Sequence, residues 1–108
     1  MPSFSPLLVF NILIRIPSAR PWDIEKAARN LRDHEVSFEE AITVFADPLY
    51  KAYDDPDHSW GEERYIAIGE SLRRRILIVS YKYEKQRTRI ISAREATRGE
   101  RRSYEEVS

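Results

Sequence analysis

Between Ser71 and Arg102 the chain carries eleven Lys or Arg residues against three acidic ones, Glu84, Glu95 and Glu100, a local charge of about +8. The preceding stretch, Trp22 to Glu70, runs the other way, with thirteen acidic residues against five basic, or about −8. A formal net charge of zero therefore conceals a strongly dipolar molecule. A guanidinium fork binds two phosphate oxygens at once and does not lose its charge, so arginines gathered on strands and a helix make a surface for a polyanion. RNA is one such polyanion.

Other chemistries are narrower. The absence of cysteine excludes a disulfide framework, a thiolate nucleophile and Cys-ligated zinc, and it fits a reducing cytoplasm. Two histidines, His34 and His58, are too few for a histidine-rich metal centre. His34 has the side chain of a general base, and it equally suits a helix C-terminus, where it meets the dipole and the last carbonyls. The cluster Asp54, Asp55, Asp57, His58, Glu62 and Glu63 invites a metal reading, its carboxylates offering oxygen ligands to a hard cation, but at no ordered spacing, and an acidic loop is commonly just solvated. No metal and no cofactor is expected.

The elements that must position these groups can be read from periodicity. With 108 residues, 33% charged and 42% hydrophobic, the chain suits one modest domain. The apolar run Leu7 to Ile16 is far shorter than the ~20 residues a bilayer span needs, and it lacks the flanks of a secretory signal. Pro17 and Pro21 bracket a boundary, which separates an extension over 1–21, disordered or an added edge strand, from a domain over 22–108.

Asp23 can cap a first helix whose buried stripe is Ile24, Ala27, Ala28 and Leu31. A capping box, Ser37 to Glu40, starts a second helix that buries Phe38, Ala41, Ile42 and Phe45 and stops at Asp47-Pro48. Strands are expected over Leu49–Tyr53, Arg64–Gly69, Arg75–Tyr83 and Arg87–Ser92. Arg64, Ile66 and Ile68 then share one face. Simple alternation places Arg87, Arg89 and Ile91 opposite Thr88, Ile90 and Ser92. A second box, Ser92 to Glu95, opens a last helix with a basic stripe at 94, 98, 101 and 102 and a thin apolar side of Ala93, Ala96 and Tyr104. So little apolar surface predicts a loosely held helix. The element order is that of an α+β domain: two N-terminal helices, an antiparallel sheet of about four strands and a C-terminal helix.

The stretches WDIEKAARNLRDHEVSFEEAITVFADP, DPDHSWGEERYIAIG and RIISAREATRGERRSYEE, in that order, closely resemble the BrnT family of ribonuclease toxins of type II toxin–antitoxin modules. The resemblance spans Trp22 to Glu106. It implies a RelE-like fold and a cytoplasmic, metal-independent endoribonuclease that arrests translation. It also implies a ribbon-helix-helix antitoxin, BrnA, in a two-plus-two complex that binds operator DNA through the antitoxin. Carried over by position, it points to Arg64, Arg89 and Arg94 as catalytic residues, to which His34 is added on its own chemistry as a general base. Arg87, Arg98, Arg101, Arg102, Lys82 and Tyr104 follow as RNA contacts, some of them shared with the antitoxin. Tyr104 is also the main apolar residue of its helix, so packing competes with stacking for it.

The chain departs from the family pattern at Glu35, where glycine usually provides a left-handed helix cap, and at Arg20-Pro21 before Trp22. It departs again in the turns Leu72–Arg75 and Tyr83–Gln86. Two other function classes stay open beside the nuclease. One is a toxin-fold interaction protein that binds antitoxin and operator with weakened or lost cleavage. The other is a metal-dependent hydrolase built on the acidic loop.

Overall fold

A computed structural model describes residues 22–56 and 63–106. The extension over 1–21, and Asp57, His58, Trp60 and Glu62 of the acidic loop, lie outside the described residues. Helix α1 spans Ile24–His34; α2 spans Phe38–Ile42 and tightens into a 3-10 turn, Thr43–Ala46. Strands β1 (Lys51–Asp54), β2 (Arg64–Glu70), β3 (Ile76–Glu84) and β4 (Arg87–Glu95) follow, then α3 (Arg98–Glu106). The strands pair antiparallel in chain order, so the sheet is a simple meander within an α+β domain. Among the described residues no helix is long and apolar enough to cross a membrane.

The two sheet faces have different fates. One packs under α1 and α2, where Val36, Phe38, Ala41 and Val44 meet Ala67, Leu77, Val79, Tyr81, Ile90 and Ala93. On the other, Ile68, Ile76 and Ile78 pack with Tyr104 of α3, flanked by Ile66 and Ala96. Helix α3 thus covers one end of its face. The end carrying Arg64, Ser80 and Lys82 stays partly exposed.

Helix α1 does not sit as its apolar periodicity predicts. Ile24 and Leu31 are 56% and 52% exposed, whereas Asn30 is buried. Its amide donates to the carbonyls of Val36 (2.9 Å) and Ala93 (2.8 Å), and its oxygen accepts from the Ala93 N–H at 3.0 Å. One polar side chain thus fastens the helix to β4 and to the following loop. Satisfying all three partners is what makes its burial tolerable. The helix ends at Glu35, which adopts the left-handed conformation (φ 57°, ψ 32°) expected of a C-cap.

Ser37 caps α2 by accepting from the Glu40 N–H at 3.0 Å. Glu40 does not complete that box. Its carboxylate is buried, accepts from Ser71 Oγ at 2.7 Å, and forms a two-pronged ion pair with Arg75. Arg75 also donates to the Glu35 carbonyl at 3.0 Å. Its guanidinium holds the Glu40 carboxyl below the usual range despite burial.

The box that opens α3 is Thr97 to Glu100, not Ser92 to Glu95. The Glu100 N–H donates to Thr97 Oγ1 at 3.2 Å, and the Thr97 N–H to Glu100 Oε1 at 2.9 Å. Strand β4 therefore runs on to Glu95. Nor is α3 loosely held, because polar ties replace the missing apolar area. The Tyr104 hydroxyl donates to Asp47, which also accepts from the Glu70 N–H at 2.8 Å. Lys51 Nζ donates to the carbonyls of Ser103 and Tyr104 at 3.2 and 3.3 Å. Only glycine fits at position 69, since a Cβ there would lie 2.8 Å from Val44 Cγ1 and 2.9 Å from Tyr50 Cβ.

Candidate nucleic-acid interface

The pairing register decides which cations meet. Arg64 of β2 lies directly opposite Lys82 of β3, and Lys82 directly opposite Arg89 of β4. Cβ atoms in such positions stand about 4.5–5.5 Å apart and point to the same side. The three form a single row of positive charge across the sheet, on the face that α3 leaves open. Glu84 lies against the row, 3.8 Å from Lys82 Nζ and 3.5 Å from Arg89 Nε. Its register partner, Arg87, extends the basic surface at the hairpin end.

One irregularity corrects the alternation expected for β4. Ser80 pairs with Ser92, but Tyr81 pairs with Ile90, so Ile91 is an extra residue opposite the Ser80/Tyr81 step. A bulge of this kind shifts the side-chain parity beyond it. Ser92 and Arg94 therefore face the same way as Arg87 and Arg89, while Ile90 is buried on the helical side. Without the bulge, Arg94 would point to the opposite face.

Beside the cation row, two residues along β2 and β3 and three along the bulged β4, lies a second row, Ile66, Ser80 and Ser92, which Tyr53 of β1 extends. Tyr53, Ser80, Ser92 and Glu84 are not among the site residues that the sequence suggests. Register makes them neighbours, and the extra residue hides that relation from simple alternation.

Arg94 shares the face, but its guanidinium is committed. Nη1 and Nη2 grip the Glu100 carboxylate at 2.7 and 2.9 Å, and this bidentate pair lowers the Glu100 pKa to about 2. The residue sits on β4 rather than in the first turn of the last helix, where a box at Ser92 would place it. Arg98, Arg101 and Arg102 lie exposed on α3.

Two expected site residues fall elsewhere. His34 ends α1 in the helical layer and lines a shallow depression with Lys26, Arg29, Asn30, Asp33 and Ile91. None of those residues belongs to the cation row. Tyr104 is buried, its hydroxyl engaged by Asp47 and its ring beneath Lys51 Nζ at 5.8 Å from the centroid. It is an anchor for α3 and presents no face to a base. Among the described residues no group of three His, Asp or Glu could hold a metal ion.

A family model described as a ribonuclease toxin, BrnT, of type II toxin–antitoxin systems matches residues 22–100. The chain is similar in fold to the crystal structure of the Brucella abortus ribonuclease toxin BrnT, at 24% identity and a TM-score of 0.57, over 71% of this chain and 94% of that one. No curated protein matches.

Proposed function

Because the chain belongs to the BrnT family of ribonuclease toxins of type II toxin–antitoxin systems, we propose that it cleaves RNA without a metal, using the open sheet face as its site. The observation that carries this reading is the row Arg64–Lys82–Arg89. Like charges directly opposite one another destabilise a sheet, so three in register are best explained by an anion that the row is there to bind.

In such a site the ribose 2′-oxygen attacks the adjacent phosphorus. The new P–O2′ bond replaces the P–O5′ bond, leaving a 2′,3′-cyclic phosphate and a 5′-hydroxyl. The 2′-proton passes to solvent or a nearby base, and the departing 5′-oxygen takes up a proton. Arg64, Lys82 and Arg89 oppose the negative charge that grows on the phosphorane, the kind of fixed electrostatic aid that is usually the largest catalytic contribution. Arg64 and Arg89 suit the task best through their forks. Arg87 and the exposed arginines of α3 guide the backbone more weakly, from outside the row. Arg94 contributes by positioning α3, not by touching phosphate.

The natural inhibitor is a ribbon-helix-helix antitoxin of the BrnA kind, bound two-plus-two and carrying the pair to operator DNA, and RNA cleavage halts translation in the cytoplasm. The test is purified protein incubated with a defined RNA in EDTA. Cleavage leaving a 2′,3′-cyclic end is expected, and Arg64→Ala should lower the rate at least tenfold without lowering the melting temperature. Intact RNA would instead favour a non-cleaving interaction protein. Cleavage abolished by EDTA would favour a metal-dependent hydrolase.

A further inference from the structure

We propose that the row beside the cations is a nucleobase subsite, in which Tyr53 stacks on one base of a single-stranded RNA while Ser80 and Ser92 face its polar edge. The inference rests on the RNA reading above and names what lies next to the phosphate. Tyr53 pairs with Ile66, Ile66 with Ser80, and Ser80 with Ser92, so the four cross the sheet in one line. That line runs beside Arg64–Lys82–Arg89, two residues away along β2 and β3, or about 6.7 Å at the usual rise of a strand. A phosphate on the cation row leaves its nucleoside over the second row.

The aromatic inventory singles out Tyr53. Phe45, Tyr50, Tyr65, Tyr81 and Tyr83 interlock ring against ring, and Trp22 packs edge-on to Phe38. Tyr104 is buried under Lys51. Among the described residues Tyr53 alone has an aromatic ring with no such engagement, and it is 52% exposed. An exposed ring, a half-buried Ile66 and two hydroxyls form a floor suited to a flat group with polar edges. Stacking on one aromatic face is worth a large factor per base and tolerates any base. The serines can donate to or accept from a base edge, so they supply selectivity.

The probe is a short oligonucleotide of 2′-O-methyl nucleotides with 2-aminopurine scanned through each position. It lacks the attacking hydroxyl and cannot be cleaved. For one position the intact protein should change the 2-aminopurine emission on binding. Tyr53→Ala and Tyr53→Leu should abolish that change and weaken binding roughly tenfold, while Tyr53→Phe stays within twofold of the intact protein. The salt dependence of affinity should not move in any Tyr53 variant, whereas Arg89→Ala should reduce it.

Equal binding and equal emission change in Tyr53→Ala would overturn the subsite while leaving the RNA reading standing. Loss in Tyr53→Phe equal to that in Tyr53→Ala would also overturn stacking, in favour of a contact through the hydroxyl. Failure of the intact protein to bind the oligonucleotide at all would bring down the RNA reading and the subsite together.

Discussion

Glu84 is the residue on which the charge balance of the open face turns. Lys82 and Arg89 stand opposite one another in the sheet, and the carboxylate beside them relieves part of their repulsion. In the proposed site a phosphate would do the same work more completely and would displace Glu84. The glutamate is about half exposed, so its hold on the cations is that of a screened surface pair. Glu84→Gln keeps the shape and removes the competing charge. RNA affinity, measured by fluorescence anisotropy at low salt, should rise about two- to fivefold, the span that an exposed ion pair of ~0.4–1 kcal/mol converts to. A cleavage rate that collapses in this variant would instead make Glu84 the proton acceptor of the reaction.

At the scale of elements, two stability contributions can be separated. Glu35 occupies a left-handed cap that glycine fills at least strain, and the contact it supplies is through its backbone carbonyl, to Arg75. Glu35→Gly keeps that carbonyl and should stabilise the domain by about 1 kcal/mol, a rise in melting temperature of roughly 4–8 °C by calorimetry. The second contribution is the clamp of Arg94 on Glu100. Arg94 lowers the Glu100 pKa from its ordinary 4.5 to about 2. The unfolded chain therefore takes up this proton first as pH falls, and the clamp's stabilisation is complete above about 4.5 and lost on the way to about 2. Glu100→Gln should be less stable than the intact protein at neutral pH, with the gap closing between pH 4.5 and 2 in urea titrations. A gap constant across that window would mean that Glu100 acts only as the helix cap.

Much of this architecture is legible from periodicity: α2, the core strand β3, and the shared face of Arg64, Ile66 and Ile68; the strained cap at Glu35 is legible only through the family resemblance. What escapes has specific physical causes. The buried face of α1 is fixed by an asparagine with three hydrogen bonds, which an apolar pattern cannot register. The true cap of α3 is a threonine with an equally good serine five residues upstream to mislead. Above all, one extra residue in β4 reverses the parity after Ile91, so Ser92 and Arg94 join the site face only in three dimensions. Local sequence carries propensity and alternation; it does not carry register between strands.

For the molecule as a whole, the balance of charges sets how binding responds to salt. With eighteen basic and eighteen acidic residues the net charge is zero, so no monopole draws RNA from a distance. Attraction must come from the basic half acting locally, at ranges where a Debye length of about 8 Å does not erase it. In the proposed site Arg64, Lys82 and Arg89 would offer three phosphate contacts on the described sheet face. For single strands each neutralised phosphate contributes about −0.7 to the slope of log affinity against log salt. The intact protein should therefore show a slope near −2 between 50 and 300 mM salt. Lys82→Ala should bring it to about −1.4, because that substitution removes one contact. A steeper slope, of −4 or beyond, would mean that the arginines of α3 engage the backbone as strongly as the sheet does, and the site would then be the whole basic half. A slope near zero would leave the row without a polyanion to answer, and the repulsion built into its register without a reason.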